Sequence, residues 1–254
     1  MLNSEEIKLG AVNLDNIAVI HLDGDFDSVF NLLQGQVTSD CSIISRQFGQ
    51  ISSLCDEKGF VLCNFEIIFD NDKWLIVIEN SSRDIFLEEI NKFLPFYQVT
   101  ATPLKVQVTG ITRQKDEELL SDEHIIFQTE ETSLSLLIRK NKQPSDDHDH
   151  NLQESDWAIN RKIMGDHQIN SEDRGRYRPH ELGQHSTRVS FKKGCFKGQE
   201  IIARMEYLGK LKKETRLIIY ENIEEISQFT IIGNTYQDEN RFFSSCLGKI
   251  DNFS

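Results

Sequence analysis

The chain has 254 residues, of which 38% are hydrophobic and 27% charged, and its formal net charge is −13 at pH 7. This composition is typical of a globular protein, and the negative charge disfavours non-specific binding to nucleic acid. No apolar run approaches the roughly 18 residues that a membrane-spanning helix needs, and the N-terminal sequence resembles neither a signal nor a transit peptide. We therefore expect a cytoplasmic protein that contacts neither a membrane nor nucleic acid directly.

The first half of the chain predicts alternating strands and helices. The strand candidates are 17–22, 48–54, 60–69, 74–78 and 104–109. Apolar residues at helical spacing predict two helices between them, with inner faces at Phe26, Val29, Phe30 and Leu33 and at Phe86, Ile90, Phe93 and Leu94. We expect Gly35 and Pro95 to end these helices and Asp56 to Gly59 to form a hairpin loop. The order predicts an α+β fold with a mostly antiparallel sheet.

The second half begins with a polar stretch, 141–156, that we interpret as a loop or linker. Its run 146–150 holds three Asp and two His, and a mobile solvated loop is favoured over a metal site because nothing orients the ligands. A helix over 157–164 should stop at Gly165, and a second should follow Gly198 with Ile201, Ile202, Met205 and Leu208 on its inner face. We expect four regions: 1–140 (α+β), 141–156, 157–213 and a small β module, 214–254.

The cysteine pattern points to one thiol. The five cysteines form no CxxC pair, which argues against a disulfide framework and a zinc ribbon. Cys195 lies in the run Lys193-Gly194-Cys195-Phe196-Lys197-Gly198-Gln199-Glu200, just before a helix start. Cations and helix N-termini lower the pKa of a thiol, and the thiolate is the nucleophile. A free cysteine is more often a small buried hydrophobe, which we expect for the other four.

The residues around this run are basic, and the run itself contains two glycines. Residues 188–213 carry eight Lys or Arg against two Glu, a net charge of +6 in an acidic chain. This island suits an anionic ligand or partner, although a solvated helix face explains it equally well. Gly194 and Gly198 permit the tight turns of a ligand-facing loop, and Gln199 and Glu200 could contact a ligand or merely cap the helix.

The octapeptide resembles the K-G-C-[YF]-x-G-Q-E signature of the YgfZ family, folate-binding relatives of the glycine-cleavage T-protein, an aminomethyltransferase. Two more stretches are similar to the family, namely Gln34-Gly35-Gln36-Val37-Thr38-Ser39-Asp40 after Leu22-Asp23-Gly24-Asp25, and the hairpin Cys55-Asp56-Glu57-Lys58-Gly59. The positions of Trp157, Gly165 and Pro179 also follow the family layout. The resemblance spans roughly residues 15–215.

The resemblance implies an aminomethyltransferase-like fold, with two ferredoxin-like α+β subdomains, partly completed by 150–210, around a central folate-binding hole. A C-terminal β-barrel should follow, and here the chain leaves room for only part of one. It also implies that the ligand is tetrahydrofolate and that no metal is permanently bound. The basic island would suit the polyglutamate tail that such a folate can carry. The implied functional thiol is Cys195 with Lys193 beside it, and the implied folate contacts are Gly194, Phe196, Gly198, Gln199, Glu200, Gln36, Thr38 and Asp40.

The implied function is that of an accessory protein for assembling or repairing iron–sulfur clusters, which supports cluster-dependent enzymes such as tRNA methylthiotransferases. Its partners would be folate and, transiently, iron–sulfur proteins or assembly factors. One alternative is a folate-dependent aminomethyl or one-carbon transferase of the T-protein type, for which the sequence identifies no catalytic carboxylate. Another is a plain binding module in which Cys195 is structural. The sequence assigns no catalytic turnover.

Overall fold

A computed structural model describes residues 6–140 and 151–253. Within these residues, twelve strands form three antiparallel sheets. The strands are β1 (Gly10–Asn13), β2 (Ile17–Asp23), β3 (Gln50–Cys55), β4 (Val61–Asp70), β5 (Lys73–Glu79), β6 (Thr100–Leu104), β7 (Gln107–Gln114), β8 (Glu123–Gln128), β9 (Thr132–Arg139), β10 (Lys213–Tyr220), β11 (Thr230–Asp238) and β12 (Arg241–Lys249). The helices are α1 (Phe26–Gln36), α2 (Asn80–Asn91), α3 (Leu94–Tyr97), α4 (Glu154–Ile163) and α5 (Gln199–Leu208).

The first sheet has five strands in the order β3-β4-β5-β2-β6. Helices α1 and α2 pack on one face, where Leu33, Phe65, Ile76 and Phe86 belong to one buried cluster. Helix α1 begins where the Asp25 side chain accepts a hydrogen bond from the Ser28 amide, as an N-cap does. The strands predicted over 17–22, 48–54, 60–69 and 74–78 are confirmed, with ends that move by one or two residues.

Several predicted details of these helices were wrong. Phe26, expected on the inner face of α1, is 54% exposed and stacks on Phe30, while α1 runs on through Gly35 to Gln36. Helix α2 ends at Asn91, and Pro95 lies in the first turn of α3 instead of closing α2. The backbone nitrogen of proline carries no hydrogen, and in the first turn of a helix that hydrogen would have no partner within the helix. Pro95 therefore lies at a helix start and not at a helix end.

The second sheet has four strands in the order β1-β7-β9-β8. The single strand predicted over 104–109 is divided between two sheets, since Leu104 ends β6 and Gln107 begins β7. Apolar alternation continues through the crossing and therefore conceals it. The two sheets face each other across a second buried cluster, to which Ile68 and Val77 contribute from the first sheet and Val108 and Leu134 from the second.

Helix α4 links this pair of sheets to the C-terminal part. It begins at Glu154, inside the stretch expected to be polar loop, and ends before Gly165, whose φ of 87° stops the helix as predicted. Trp157 on α4 belongs to the cluster between the two sheets, and Ile159 packs on Leu217 and Phe243 of the third sheet. The Asp/His run 146–150 lies outside the described residues.

The third sheet has three strands in the order β10-β12-β11. Within the described residues, these C-terminal strands form an open sheet. Between α4 and this sheet, residues 164–198 run without long helices or strands and lead into α5. Of the expected inner face of α5, Ile202 is buried, whereas Leu208 is 81% exposed. The fold is α+β with mostly antiparallel sheets, as the sequence predicted.

Candidate functional site

The octapeptide forms the loop that leads into α5. Cys195 is exposed, while the other four thiols are buried in their respective cores. Burial raises the pKa of Cys41 and Cys63 to about 12 and that of Cys246 to about 11. Cys195 is thus the one thiol that the fold presents to solvent.

Lys193 ties this loop to the chain after α1. Its side chain is buried, and its ammonium group donates to the carbonyl oxygens of Val37 and Ser39, at 2.8 Å each. It also lies 5.2 Å from the centre of the Phe196 ring. Burial lowers the pKa of Lys193 to about 8. Lys193 therefore braces the loop, and its described hydrogen bonds go to backbone carbonyls.

Lys197, the second lysine beside the thiol, also has partners elsewhere. Its ammonium group lies 2.9 Å from a Glu89 carboxylate oxygen and 3.6 Å from one of Glu57. Its backbone amide donates to the Gly35 carbonyl at 3.2 Å. Because both lysines are engaged in this way, the exposed position of Cys195 is the feature that favours its reactivity.

Gly198 brings in the hairpin between β3 and β4. It caps α5 with a φ of 81°, and a Cβ atom added there would lie 2.5 Å from the Asp56 carbonyl oxygen. The Asp56 side chain in turn accepts from the amides of Lys58 and Phe60, at 2.9 and 2.8 Å, and so shapes the hairpin. The three stretches that carry the family resemblance thus meet around the cysteine loop.

The residues expected from the resemblance to contact folate have local roles in this assembly. Thr38 is buried, donates to the Arg188 carbonyl at 2.7 Å and accepts from the Ser53 amide at 3.0 Å. Asp40 accepts from Gln34 at 2.8 Å and from the Ser42 amide at 3.0 Å. Burial opposes these bonds, yet together they hold the pKa of Asp40 below its usual value.

The other expected contacts differ in exposure. Phe196 lies in the buried cluster that includes Val61 and Ile202. Gln199 and Glu200 occupy the first turn of α5, where the Glu200 carboxylate points into solvent. The side-chain oxygen of Gln36 is buried and has no hydrogen-bond partner among the described residues.

A buried network of ions, which sequence reasoning missed, lies behind this loop. Arg188 is fully buried, and its guanidinium donates to both carboxylate oxygens of Asp166, at 2.7 and 2.9 Å. Arg161 donates to Asp166 at 2.8 Å and to Glu66 at 2.5 Å. Burial alone would raise the pKa of Asp166, but the two guanidinium groups hold it well below its usual range. Arg188 had been counted within the basic island, and no periodicity distinguishes a buried arginine from an exposed one.

The network borders a cavity of about 260 Å³ between the first sheet, helix α4 and strand β11. Its wall combines two aromatic rings, three carboxylates, one guanidinium and four amides with three apolar side chains and one hydroxyl group, namely Trp157, Tyr236, Glu66, Glu79, Glu154, Arg161, Asn16, Asn64, Gln168, Asn234, Leu14, Ile17, Ala158 and Ser155. Burial raises the pKa of Glu79. Such a wall suits a flat heterocycle with several N–H donors, because rings can cover its faces while carboxylates and amides meet its edge.

None of the residues expected to contact folate lines this central cavity. The cysteine loop and the cavity are connected through buried hydrogen bonds instead. Arg161 and Glu66 belong to both the cavity wall and the ion network, and the Arg188 carbonyl accepts from Thr38 on the loop side. Sequence reasoning found the loop but missed the cavity wall.

Two further observations concern the described residues alone. Among them, no three His, Cys, Asp or Glu side chains are arranged to hold a metal ion. None of the described helices combines the length and the apolar character that crossing a membrane requires.

Comparison with known proteins agrees with the resemblance. The chain is 28% identical over 227 residues to the tRNA-modifying protein YgfZ of Colwellia psychrerythraea. The aligned region covers 80% of this chain and 69% of that protein. It is 24% identical over 244 residues to YgfZ of Escherichia coli, covering 85% and 73%. No family model matches the chain.

In fold, the chain is similar to the glycine cleavage system aminomethyltransferase T from Bartonella henselae. The TM-score is 0.60 at 9% sequence identity, over 97% of this chain and 80% of that structure. These findings confirm that the chain resembles YgfZ and has the T-protein fold.

Proposed function

We propose that this chain, as a protein similar to the tRNA-modifying proteins YgfZ, binds tetrahydrofolate in the central cavity and supports iron–sulfur proteins through Cys195. Its clients would include enzymes such as tRNA methylthiotransferases. The observation that carries the proposal is the composition of the cavity wall, which combines aromatic rings with carboxylates and amides.

The chemistry of this wall fits the bicyclic head of a folate. Such a ring carries adjacent amino and imino N–H groups, for which Glu66 and Glu79 are acceptors, and Gln168 supplies an amide for its carbonyl. Trp157 and Tyr236 offer aromatic surface to its faces. The volume of about 260 Å³ lies below the roughly 300–1,000 Å³ of pockets that enclose drug-sized ligands. The cavity therefore suits the ring system, with the glutamate tail extending outside.

Cys195 provides the second part of the proposal. Its loop is fixed by Lys193, Lys197 and Gly198, so the exposed thiol is held at a defined place on the surface. A partner can therefore reach it without unfolding this region. A [4Fe–4S] cluster usually takes four thiolates, so one cysteine would contact a cluster only together with ligands from another protein. A sulfur species or a partner disulfide would react with the same thiol.

One observation favours a one-carbon transferase as second candidate. Glu79 lines the cavity, and burial raises its pKa toward the range in which a carboxyl group acts as an acid or base. The sequence alone identified no such carboxylate. Fold similarity to an aminomethyltransferase does not by itself carry that activity, because one fold hosts many functions.

Tetrahydrofolate binding can be measured through the fluorescence of Trp157. The chain has two tryptophans, so a Trp74→Phe background isolates the one in the cavity. We expect quenching by tetrahydrofolate, and a Kd about tenfold weaker in Glu79→Gln, since a charged acceptor is lost. Glu88→Gln, on the exposed side of α2, serves as control and should bind normally.

Three outcomes would count against the proposal as stated. Absence of quenching at millimolar tetrahydrofolate would refute the ligand. Equal effects of Glu79→Gln and Glu88→Gln would refute the cavity. Formation of methylene-tetrahydrofolate from an aminomethyl donor would favour the transferase, and Glu79→Gln should then abolish turnover.

A further inference from the structure

A second cavity, of about 460 Å³, lies beside α5 and shares no lining residue with the central one. It is formed by the turns over 178–185, the last turn of α5 and the segment 209–213. Its cationic and imidazole side chains are Arg178, His180, His185, Lys210, Lys212 and Lys213. We call it the basic cavity.

The two carboxylates of the basic cavity are already engaged. Glu206 lies 2.9 Å from Nε2 of His180, and Glu181 accepts from the Arg178 amide at 3.0 Å. The lysines, in contrast, are exposed and form no ion pair with any residue in the described part of the chain. Four cationic side chains against these two carboxylates leave the wall a net charge of 4 − 2 = +2, without counting the histidines.

The histidines supply the second, independent observation. The rings of His180 and His185 stack with centroids 4.9 Å apart and an angle of 11° between their planes. His180 is only 5% exposed. On both rings Nδ1 is buried and without a hydrogen-bond partner among residues 6–140 and 151–253. The Glu206 carboxylate can only accept, so Nε2 of His180 carries the hydrogen and Nδ1 is an acceptor in the neutral ring. Its lack of a partner is costly, and a P–OH group of a partly protonated phosphate would satisfy it.

We propose that the basic cavity binds a small ligand carrying two or more phosphate groups. The wall carries three ammonium groups and a guanidinium, which a ligand with one carboxylate could not match. A diphosphate carries more negative charge and offers many acceptor oxygens to these donors. The volume exceeds that of a diphosphate alone, and Met205 and Leu211 offer apolar surface to the rest of the ligand. The proposal is independent of folate binding in the central cavity.

Inorganic pyrophosphate is the probe, titrated calorimetrically into the full chain at physiological ionic strength. We expect binding, and a Kd weakened about tenfold or more in the double variant Lys212→Ala/Lys213→Ala because two charged contacts are lost. His185→Ala should weaken binding as well. Lys105→Ala removes one exposed lysine that lines none of the cavities described above, and it should leave the Kd within about twofold.

Citrate, a polycarboxylate of similar charge, tests the chemical class. Pyrophosphate binding about tenfold tighter than citrate supports a phosphate ligand. Equal affinities for the two anions would overturn that class, and no heat with millimolar pyrophosphate would overturn the site. If Lys105→Ala loses as much affinity as the double variant, the net charge of the protein explains the loss. That result would also refute the cavity as the binding site.

Discussion

The protonation of His167 is fixed by a chain of buried hydrogen bonds. This chain runs from Lys162 through Ser245 to His167. The buried ammonium group of Lys162 can only donate, and it lies 2.9 Å from the Ser245 oxygen. The hydroxyl hydrogen of Ser245 is then free to donate to Nδ1 of His167, also at 2.9 Å. His167 therefore accepts as a neutral ring. Burial, with Lys162 beside it, lowers the pKa of His167 to about 4.

This neutral histidine predicts a loss of stability in acid. The pKa of His167 is about 4 in the folded chain against an ordinary value of 6.5, so the unfolded chain binds more protons between these pH values. The free energy of unfolding should fall as pH drops through this window, by about 2 kcal/mol from pH 7 to pH 5. His167→Gln keeps an acceptor for Ser245 but cannot titrate, so its urea-unfolding free energy should lose that part of the slope. The same pH slope in both proteins would show that His167 is not its source.

At the level of elements, the start of α5 and the β3–β4 hairpin hold each other in place. Gly198 and the hairpin approach backbone to backbone, and Gly198 has a positive φ that residues with a Cβ rarely adopt. The cysteine loop therefore depends on two elements that lie more than a hundred residues apart in the chain. A side chain at position 198 would separate them.

Gly198→Ala should lower the free energy of unfolding by about 2 kcal/mol or more, from backbone strain plus contact with the Asp56 carbonyl. Gly194 is the matched control in the same loop, since a Cβ atom there would meet no atom within 4 Å. Gly194→Ala should stay within about 0.5 kcal/mol of the original protein. Urea denaturation of the two variants measures both values. Equal losses would mean that the approach of α5 to the hairpin does not control stability.

Across the whole molecule, the cavity and the thiol occupy different places joined by buried hydrogen bonds. A ligand bound in the central cavity would contact Arg161 and Glu66, and hydrogen bonds continue from these residues through Asp166 and Arg188 to Thr38 beside the cysteine loop. The proposed function needs both places at once. A test in cells therefore has to remove the thiol while leaving the fold and the cavity intact.

Cys195→Ser at normal expression should reduce the methylthio modification of tRNA as far as deletion of the gene does, because a hydroxyl replaces the nucleophilic thiol. Gly194→Ala keeps the thiol and the packing, and it should preserve the modification. Mass spectrometry of total tRNA measures it. Full modification with Cys195→Ser, in cells where deletion lowers it, would mean that the protein acts by binding alone. An unchanged level in the deletion would refute the role in tRNA methylthiolation.

The sequence by itself determined the local features of this protein. Turn residues and apolar spacing located the β3–β4 hairpin, the stop at Gly165 and the start of α5 at Gly198. The octapeptide identified the resemblance to YgfZ and, with it, the fold. These features depend on neighbours in the chain, so a pattern of a few residues suffices to encode them.

Only the tertiary structure decided which charges are buried and where the ligand-sized space lies. Arg161 meets Glu66 across 95 positions of the chain, and Lys193 meets the Val37 carbonyl across 156. Read along the chain, Lys193 counted with Arg188 in a basic island that suited an anionic ligand and a solvated helix face equally well. Whether an ammonium or guanidinium group is exposed depends on partners supplied by other elements, because burial of a charge is tolerated only where those partners compensate it.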